Sequence, residues 1–260
     1  MGQPDIWHFA ENHSALGLED FLPELLEENS ISEVQTRTLT RGPSLQGRAS
    51  DERVLRVASQ ARSRSQKSDM PFWEAMMAMA TDEAPAVRRA IFREALYHRS
   101  DADDLDRNFV PTLEFVSTLR GAGFCESHER GITALTSVVS VSGEERHLPL
   151  LDFRVSPSEF HTELITELLT ILGERGYLVD SGRSYHFYGA RTASAEDFWA
   201  FLGRAQLMAP FVDERWIAHQ LISARASLRL STNSVRHLVP PRLVAWSDGL
   251  RLLSPVRQRR

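Results

Sequence analysis

Cysteine, lysine and long apolar runs are all scarce in this chain, and each scarcity closes off a class of explanation. One cysteine, Cys125, among 260 residues rules out an intramolecular disulfide framework and a cysteine-built zinc site, so a reducing, cytoplasmic setting is expected. No run of about 18 apolar residues occurs. The opening MGQPDIWHFAENH lacks both a basic-then-apolar signal and the Ser or Thr of a myristoylation site. No membrane partner is therefore expected. The absence of G-x-G-x-x-G and of a Walker-type loop argues against a dinucleotide enzyme. Lys67 is the only lysine among 30 basic residues; arginine suits bidentate phosphate contacts, although a compositional bias explains the imbalance more simply. A net charge of −5 excludes a protein that coats nucleic acid over its whole surface and leaves room for a local basic groove.

What is present is a chain 42% hydrophobic, enough for one sizeable core plus a small second layer or subdomain. Leu16, Leu18, Phe21, Leu22, Leu25 and Leu26 recur at helical spacing, with Asn29 and Ser30 as stop signals. From Gln35 to Lys67 the pattern fades into a basic, Ser-rich tract, read as a solvated linker with one short helix; nucleic-acid contact is its other reading. Ser68 then reads as the cap of a helix carrying Phe72, Trp73, Met76, Met77 and Met79. Thr81 heads another, with Val87, Ile91, Ala95 and Leu96 on one face. Residues 1–105 are thus expected to be a helical accessory region, with the linker near 35–67.

Residues 106–260 change character. A short helix over 113–120 precedes β-favouring residues 132–141, a Ser142-Gly143-Glu144 turn and an apolar return strand, His147–Val155. A helix capped by Ser158 and ended near Gly173 follows. Strands at 177–179 and 185–188 flank a turn-rich Asp180–Ser184 segment, a helix spans about 195–208, and strands lie near 228–231 and 243–246. This interleaving predicts an α+β domain with helices over one face of a sheet.

Three patches carry polar residues suited to chemistry. In Leu150-Leu151-Asp152-Phe153-Arg154 an apolar strand delivers Asp152 to its end, with Arg154 on the same face; a local ion pair is the simple explanation. In Asp180-Ser181-Gly182-Arg183-Ser184-Tyr185-His186 the glycine permits close backbone approach, Arg183 can grip phosphate oxygens, and Ser184 and His186 share a strand face. His186 taken alone reads as a core histidine. In Phe211-Val212-Asp213, followed by Leu228-Arg229-Leu230-Ser231, Asp213 either serves a site or caps the helix carrying Trp216 and Ile217.

Together these patches resemble the archaeo-eukaryotic primase (primase-polymerase) superfamily. Its core has a strand ending in Asp-h-Asp (h, hydrophobic), a Ser-x-His motif on a hairpin, and a later h-Asp followed by a basic strand. The match runs from about Leu150 to Ser231 and fits a bacterial one-aspartate primase-like subgroup best. The resemblance implies an RRM-like antiparallel sheet and nucleotidyl transfer. It puts Asp152 and Asp213 at metal-binding, catalytic positions together with His186. Arg183, Ser184, His186, Arg229 and Ser231 fall where a nucleoside triphosphate is held.

One departure counts against full activity: Arg154 stands where the second strand aspartate belongs. Two metals about 3.5–4 Å apart need clustered carboxylates, and arginine reverses that field. At most one Mg or Mn ion is expected, with Asp180 as a replacement carboxylate only if its hairpin folds toward Asp152. The resulting expectation is a nucleotide- and DNA- or RNA-binding protein with weakened or lost transfer. An active primase or polymerase is the alternative, and a scaffold binding a protein partner through residues 1–105 of a bacterial defence or DNA-processing complex is a third.

Overall fold

The computed structural model describes residues 7–10, 16–39, 45–49, 51–68, 70–98, 108–121, 132–232 and 239–252. Cys125, named in the sequence reading, lies outside them. In chain order the elements are β1 (Trp7–Phe9), a 3-10 turn (Leu18–Asp20), α1 (Leu22–Glu28), β2 (Ile31–Leu39), α2 (Leu45–Arg48), α3 (Glu52–Lys67), α4 (Phe72–Ala80) and α5 (Pro85–Ala95). There follow β3 (Asn108–Pro111), α6 (Thr112–Arg120), β4 (Ile132–Val141), β5 (Glu144–His147), β6 (Leu150–Asp152) and α7 (Glu159–Leu172). The last are β7 (Gly176–Asp180), β8 (Tyr185–Gly189), α8 (Ala195–Gln206), α9 (Glu214–Ser223), β9 (Ser227–Arg229) and β10 (Arg242–Ser247).

The chain divides into two compact units: Met1–Thr40 with Asp104–Arg260, and Arg41–Asp103. The first is α+β and contains two antiparallel sheets. One runs β1-β10-β7-β8-β6; the other runs β3-β2-β4-β5, with β9 also paired to β4. The second unit is helical, and Val54, Val57, Ala61, Met76, Val87 and Ile91 from α3, α4 and α5 form its core.

The first forty residues therefore correct the expectation of a helical region reaching 105. β2 is nine residues long and pairs with β3 on one side and β4 on the other. Its alternation is broken by register shifts opposite β4, and only Ile31, Val34 and Gln35 along it are buried. Backbone pairing on both sides, rather than side-chain pattern, holds it in place. The expected linker is also a sixteen-residue helix, α3, whose buried face is Val54, Val57, Ala58 and Ala61. Small and β-branched residues among arginines hid that stripe. Ser68 closes α3, its amide and hydroxyl both donating to the Arg64 carbonyl, and does not open α4.

The return strand after β4 is two strands, not one. Ser142 (φ 52°) and Gly143 (φ 82°) make the tight turn of the β4–β5 hairpin. The chain then leaves that sheet at Leu148-Pro149 and enters the other as β6, opposite β8. α7 matches its signals: the Ser158 hydroxyl accepts from the His161 amide, and Gly173 ends the helix with φ 80°.

The two faces of the β6-β8-β7 layer have different jobs. Tyr185 and Phe187 meet the helices: the Tyr185 hydroxyl donates to the Ser158 carbonyl (2.8 Å) and lies 2.8 Å from Thr162 Oγ1, and Phe187 packs against Phe201 of α8. On the opposite face Tyr177 and Tyr188 pack on Phe21. Strand alternation puts His186 and, across the ladder, Asp152 on this second face as well.

Candidate functional site

β6 and β8 place Asp152 directly opposite His186. Past Asp152 the edge continues as a short antiparallel pairing with 211–213. Phe153 bridges Val212, the Arg154 amide donates to the Phe211 carbonyl (2.7 Å), and the Asp213 amide donates to the Asp152 carbonyl (3.1 Å). Asp152 and Asp213 are therefore cross-strand neighbours, and such a pair projects on one side of the sheet. A wide separation in sequence is closed by two backbone hydrogen bonds.

Around the Asp152 carboxylate, Ser184 Oγ donates to Oδ1 (3.3 Å) and His186 Nε2 stands 3.9 Å from the same oxygen. Asp152 is 23% exposed and His186 only 8%. Burial pushes the Asp152 carboxyl up to about 8, and the Asp213 charge adds to the rise. The Ser184 hydrogen bond and the Arg229 charge offset part of it. The protonated acid is thus the favoured form near neutrality unless a cation arrives.

Asp213 also fills its simpler role. It caps α9, its Oδ1 accepting from the Trp216 amide (2.9 Å), which engages one carboxylate oxygen.

The turn between β7 and β8 is built for rigidity. The Gly182 amide donates to Asp180 Oδ1 (2.6 Å), and the Ser181 amide and hydroxyl both donate to the Ser184 carbonyl (2.9 and 3.0 Å). Gly182 sits at φ 91°, where a side chain is strained. Asp180 pairs with Tyr185, not His186, so alternation turns it away from the face of Asp152. It fastens the turn and does not replace the missing carboxylate. Arg183 is exposed at the tip.

Arg229 and Ser231 are engaged within the fold. Arg229 is 6% exposed; its Nη1 donates to the Ser231 carbonyl (2.7 Å) and its Nη2 to the Ser181 carbonyl. A β9 side chain thereby grips the turn that carries Ser184, across the gap between the two sheets. Burial lowers the Arg229 pKa, and Tyr188, Asp152 and Asp180 act against that fall. Ser231 Oγ accepts from the Thr133 amide (3.0 Å). Arg154 is half-buried.

The residues brought together are thus Asp152, Ser184, His186 and Asp213, with Arg229 behind them. Tyr188 was missed by the sequence reading. Its hydroxyl is fully buried, has no hydrogen-bond partner among the described residues, and its pKa is raised by that burial. Its signal was available, because it lies two residues beyond His186 and so on the same strand face. Among the described residues no group of three or more His, Cys, Asp or Glu is arranged to hold a metal ion. None of the described helices is long and apolar enough to cross a membrane.

Residues 112–242 match the model of the family described as archaeo-eukaryotic primase 1D-like. No curated protein and no solved structure matches the chain. The matched span takes in β4 through β9, and so all the residues that converge on Asp152.

Proposed function

The chain belongs to the archaeo-eukaryotic primase 1D-like family, and from that premise we propose a primase-polymerase-like protein that binds a nucleoside triphosphate or a nucleic-acid end but has weakened or lost nucleotidyl transfer. The observation that carries this reading is the meeting of Asp152, Ser184, His186 and Asp213 around one partly exposed carboxylate, with Arg154 adjoining them. The same reading gives the β7-β8 layer an RRM-like role, presenting Ser184 and His186 from one hairpin.

The donor set fits one divalent cation and not two. Two carboxylates meet, one of them half committed to a helix cap, and the position beside them is an arginine. Asp152 and Asp213 would hold a single Mg or Mn ion, which would neutralise phosphate charge there. The chain's own contributions are separate. Ser184 and His186 orient the Asp152 carboxylate and offer hydrogen bonds to a phosphate, Arg183 offers a bidentate contact from the turn tip, and we assign Arg229 to holding that turn.

The test is primer synthesis and extension with Mg and then Mn, alongside triphosphate binding by the same protein. Triphosphate binding lost in His186→Ala, with extension absent or feeble, is the expected result. Robust extension abolished by Asp152→Asn would promote the active-polymerase reading. No nucleotide or nucleic-acid affinity, combined with copurifying proteins that depend on residues 1–105, would favour the scaffold; the separate core of Arg41–Asp103 is what keeps that reading in play.

A further inference from the structure

We propose that the solvent face of α3 is a nucleic-acid phosphate-binding surface, separate from the Asp152 site and independent of whether that site binds nucleotide. Between Arg41 and Asp103 the chain has eleven basic against nine acidic residues, although over its whole length acids outnumber bases 35 to 30. The asymmetry concentrates in α3. From Arg53 to Ser68 there are five cations and no acid.

Helical geometry sorts these residues. At 100° per residue, Arg53, Arg56, Arg64 and Lys67 fall within an arc of about 80°, and at 1.5 Å per residue they run about 21 Å along the helix. All four are exposed, as are Ser59, Gln60, Ser63 and Gln66 around them. Val54, Val57, Ala58 and Ala61, centred about 110° round the helix from this arc, are buried in the helical unit, so packing of the apolar side leaves the basic face toward solvent.

The chemistry of this face selects its partner. Arg, Lys, Ser and Gln side chains are the groups that contact nucleic-acid phosphates, and about 21 Å of one duplex strand presents roughly six phosphates at a 3.4 Å rise. A membrane-surface helix needs an apolar side free to enter lipid, and that of α3 is already used. A protein interface needs aromatic or aliphatic anchors at its centre, and no large exposed hydrophobic residue lies on α3. Arg53 pairs with Asp51 (2.9 Å) and Arg56 with Glu83 (3.1 Å), both arginines being 58% exposed. Such pairs are weak and screened, so they yield to phosphate while keeping the guanidinium groups on the face.

The experiment uses the full chain and a labelled DNA duplex and single-stranded RNA, with fluorescence anisotropy read from about 50 to 250 mM salt. Arg53→Gln/Arg64→Gln/Lys67→Gln should bind at least about tenfold more weakly, with the slope of log K against log salt shallower by about two to three. Gln60→Arg, which adds a charge to the middle of the face, should tighten binding and steepen the slope by about one. Arg191→Gln, which removes an exposed charge outside both this face and the Asp152 site, should leave both unchanged. A triple variant with an unaltered circular dichroism spectrum and wild-type affinity overturns the proposal, as does a Gln60→Arg variant with no gain. An equal loss in Arg191→Gln would also overturn it, because the effect would then belong to surface charge in general and not to this face, and it would leave the reading of the Asp152 site standing. If the triple variant instead loses affinity for polyglutamate or for phosphatidylserine vesicles and keeps it for DNA and RNA, the surface belongs to a different partner and the proposal fails.

Discussion

Replacing Asp152 with asparagine should make the protein more stable, and increasingly so as the pH rises. The folded carboxyl sits at about 8 against an ordinary value of 3.8, so between those limits the folded state holds a proton that the unfolded state has released. Stability attached to this group is complete below about pH 4 and is lost as the pH climbs through 8. The distance between the folded and ordinary values corresponds to an upper bound on the order of 5 kcal/mol. Solvent reaches the 23% exposed side chain, which reduces the cost, and we take about 2 kcal/mol as the working figure. Asparagine is close in shape, keeps an oxygen for the Ser184 hydroxyl and never ionises. With about two to four degrees per kcal/mol for a domain of this size, the variant should unfold about 4–8 °C above wild type near pH 8.5 and within about a degree of it near pH 3. Thermal melts followed by circular dichroism in metal-free buffer give the measurement. A difference that does not change with pH would refute the argument. Adding Mg or Mn at high pH should close the gap by stabilising wild type alone.

Four further outcomes are expected of the same fold. Arg229→Met strips hydrogen bonds from the carbonyls of Ser181 and Ser231 and should cost about 2–4 kcal/mol in chemical denaturation; Arg229→Lys, lacking the planar fork, should recover less than half of that. Asp213→Ala should lose about 1 kcal/mol for the α9 cap and, by removing a neighbouring charge, should bring the Asp152 titration lower as followed by carboxyl NMR. His147 is buried, shares a hydrogen bond with Ser137 Oγ (3.1 Å) and stacks on Phe198. Burial lowers its pKa, so folding stability should be full above about pH 6.5 and fall as acid forces a proton onto it, a slope absent in His147→Gln. Gly176→Ala should fail to give folded protein, because its Cβ would lie 2.1 Å from the Tyr188 carbonyl oxygen; ordinary solubility and a native melt would contradict the packing described.

Where local chemistry decided the structure, the sequence was legible. Ser158 and Gly173 bracket α7, Ser142-Gly143 turns the β4–β5 hairpin, and Ile132–Val141 is the strand its β-branched residues suggest. Legibility failed where long-range pairing decided. β2 exists because β3 and β4 flank it, with two apolar residues along its buried positions, and no window of its own sequence contains that information. The site divides in the same way. The Asp152–His186 and Ser184 grouping could be read from strand alternation and motif order, whereas the Asp213 neighbourhood depends on a two-bond extension of the sheet edge. Arg229 shows the converse: its place beside the site was legible, but its use as a clamp on backbone carbonyls depends on a distant turn coming within reach.

β2 and β3 are adjacent antiparallel strands, with Thr36 opposite Asn108, yet everything from α2 to α5 is threaded between them. The helical unit is thus an excursion that departs from and returns to neighbouring points on the same ladder. A short reverse turn spanning that gap would leave every hydrogen bond of the ladder in place. Such a shortened chain offers a way to ask what the sheets accomplish alone and, by grafting, what the helices add.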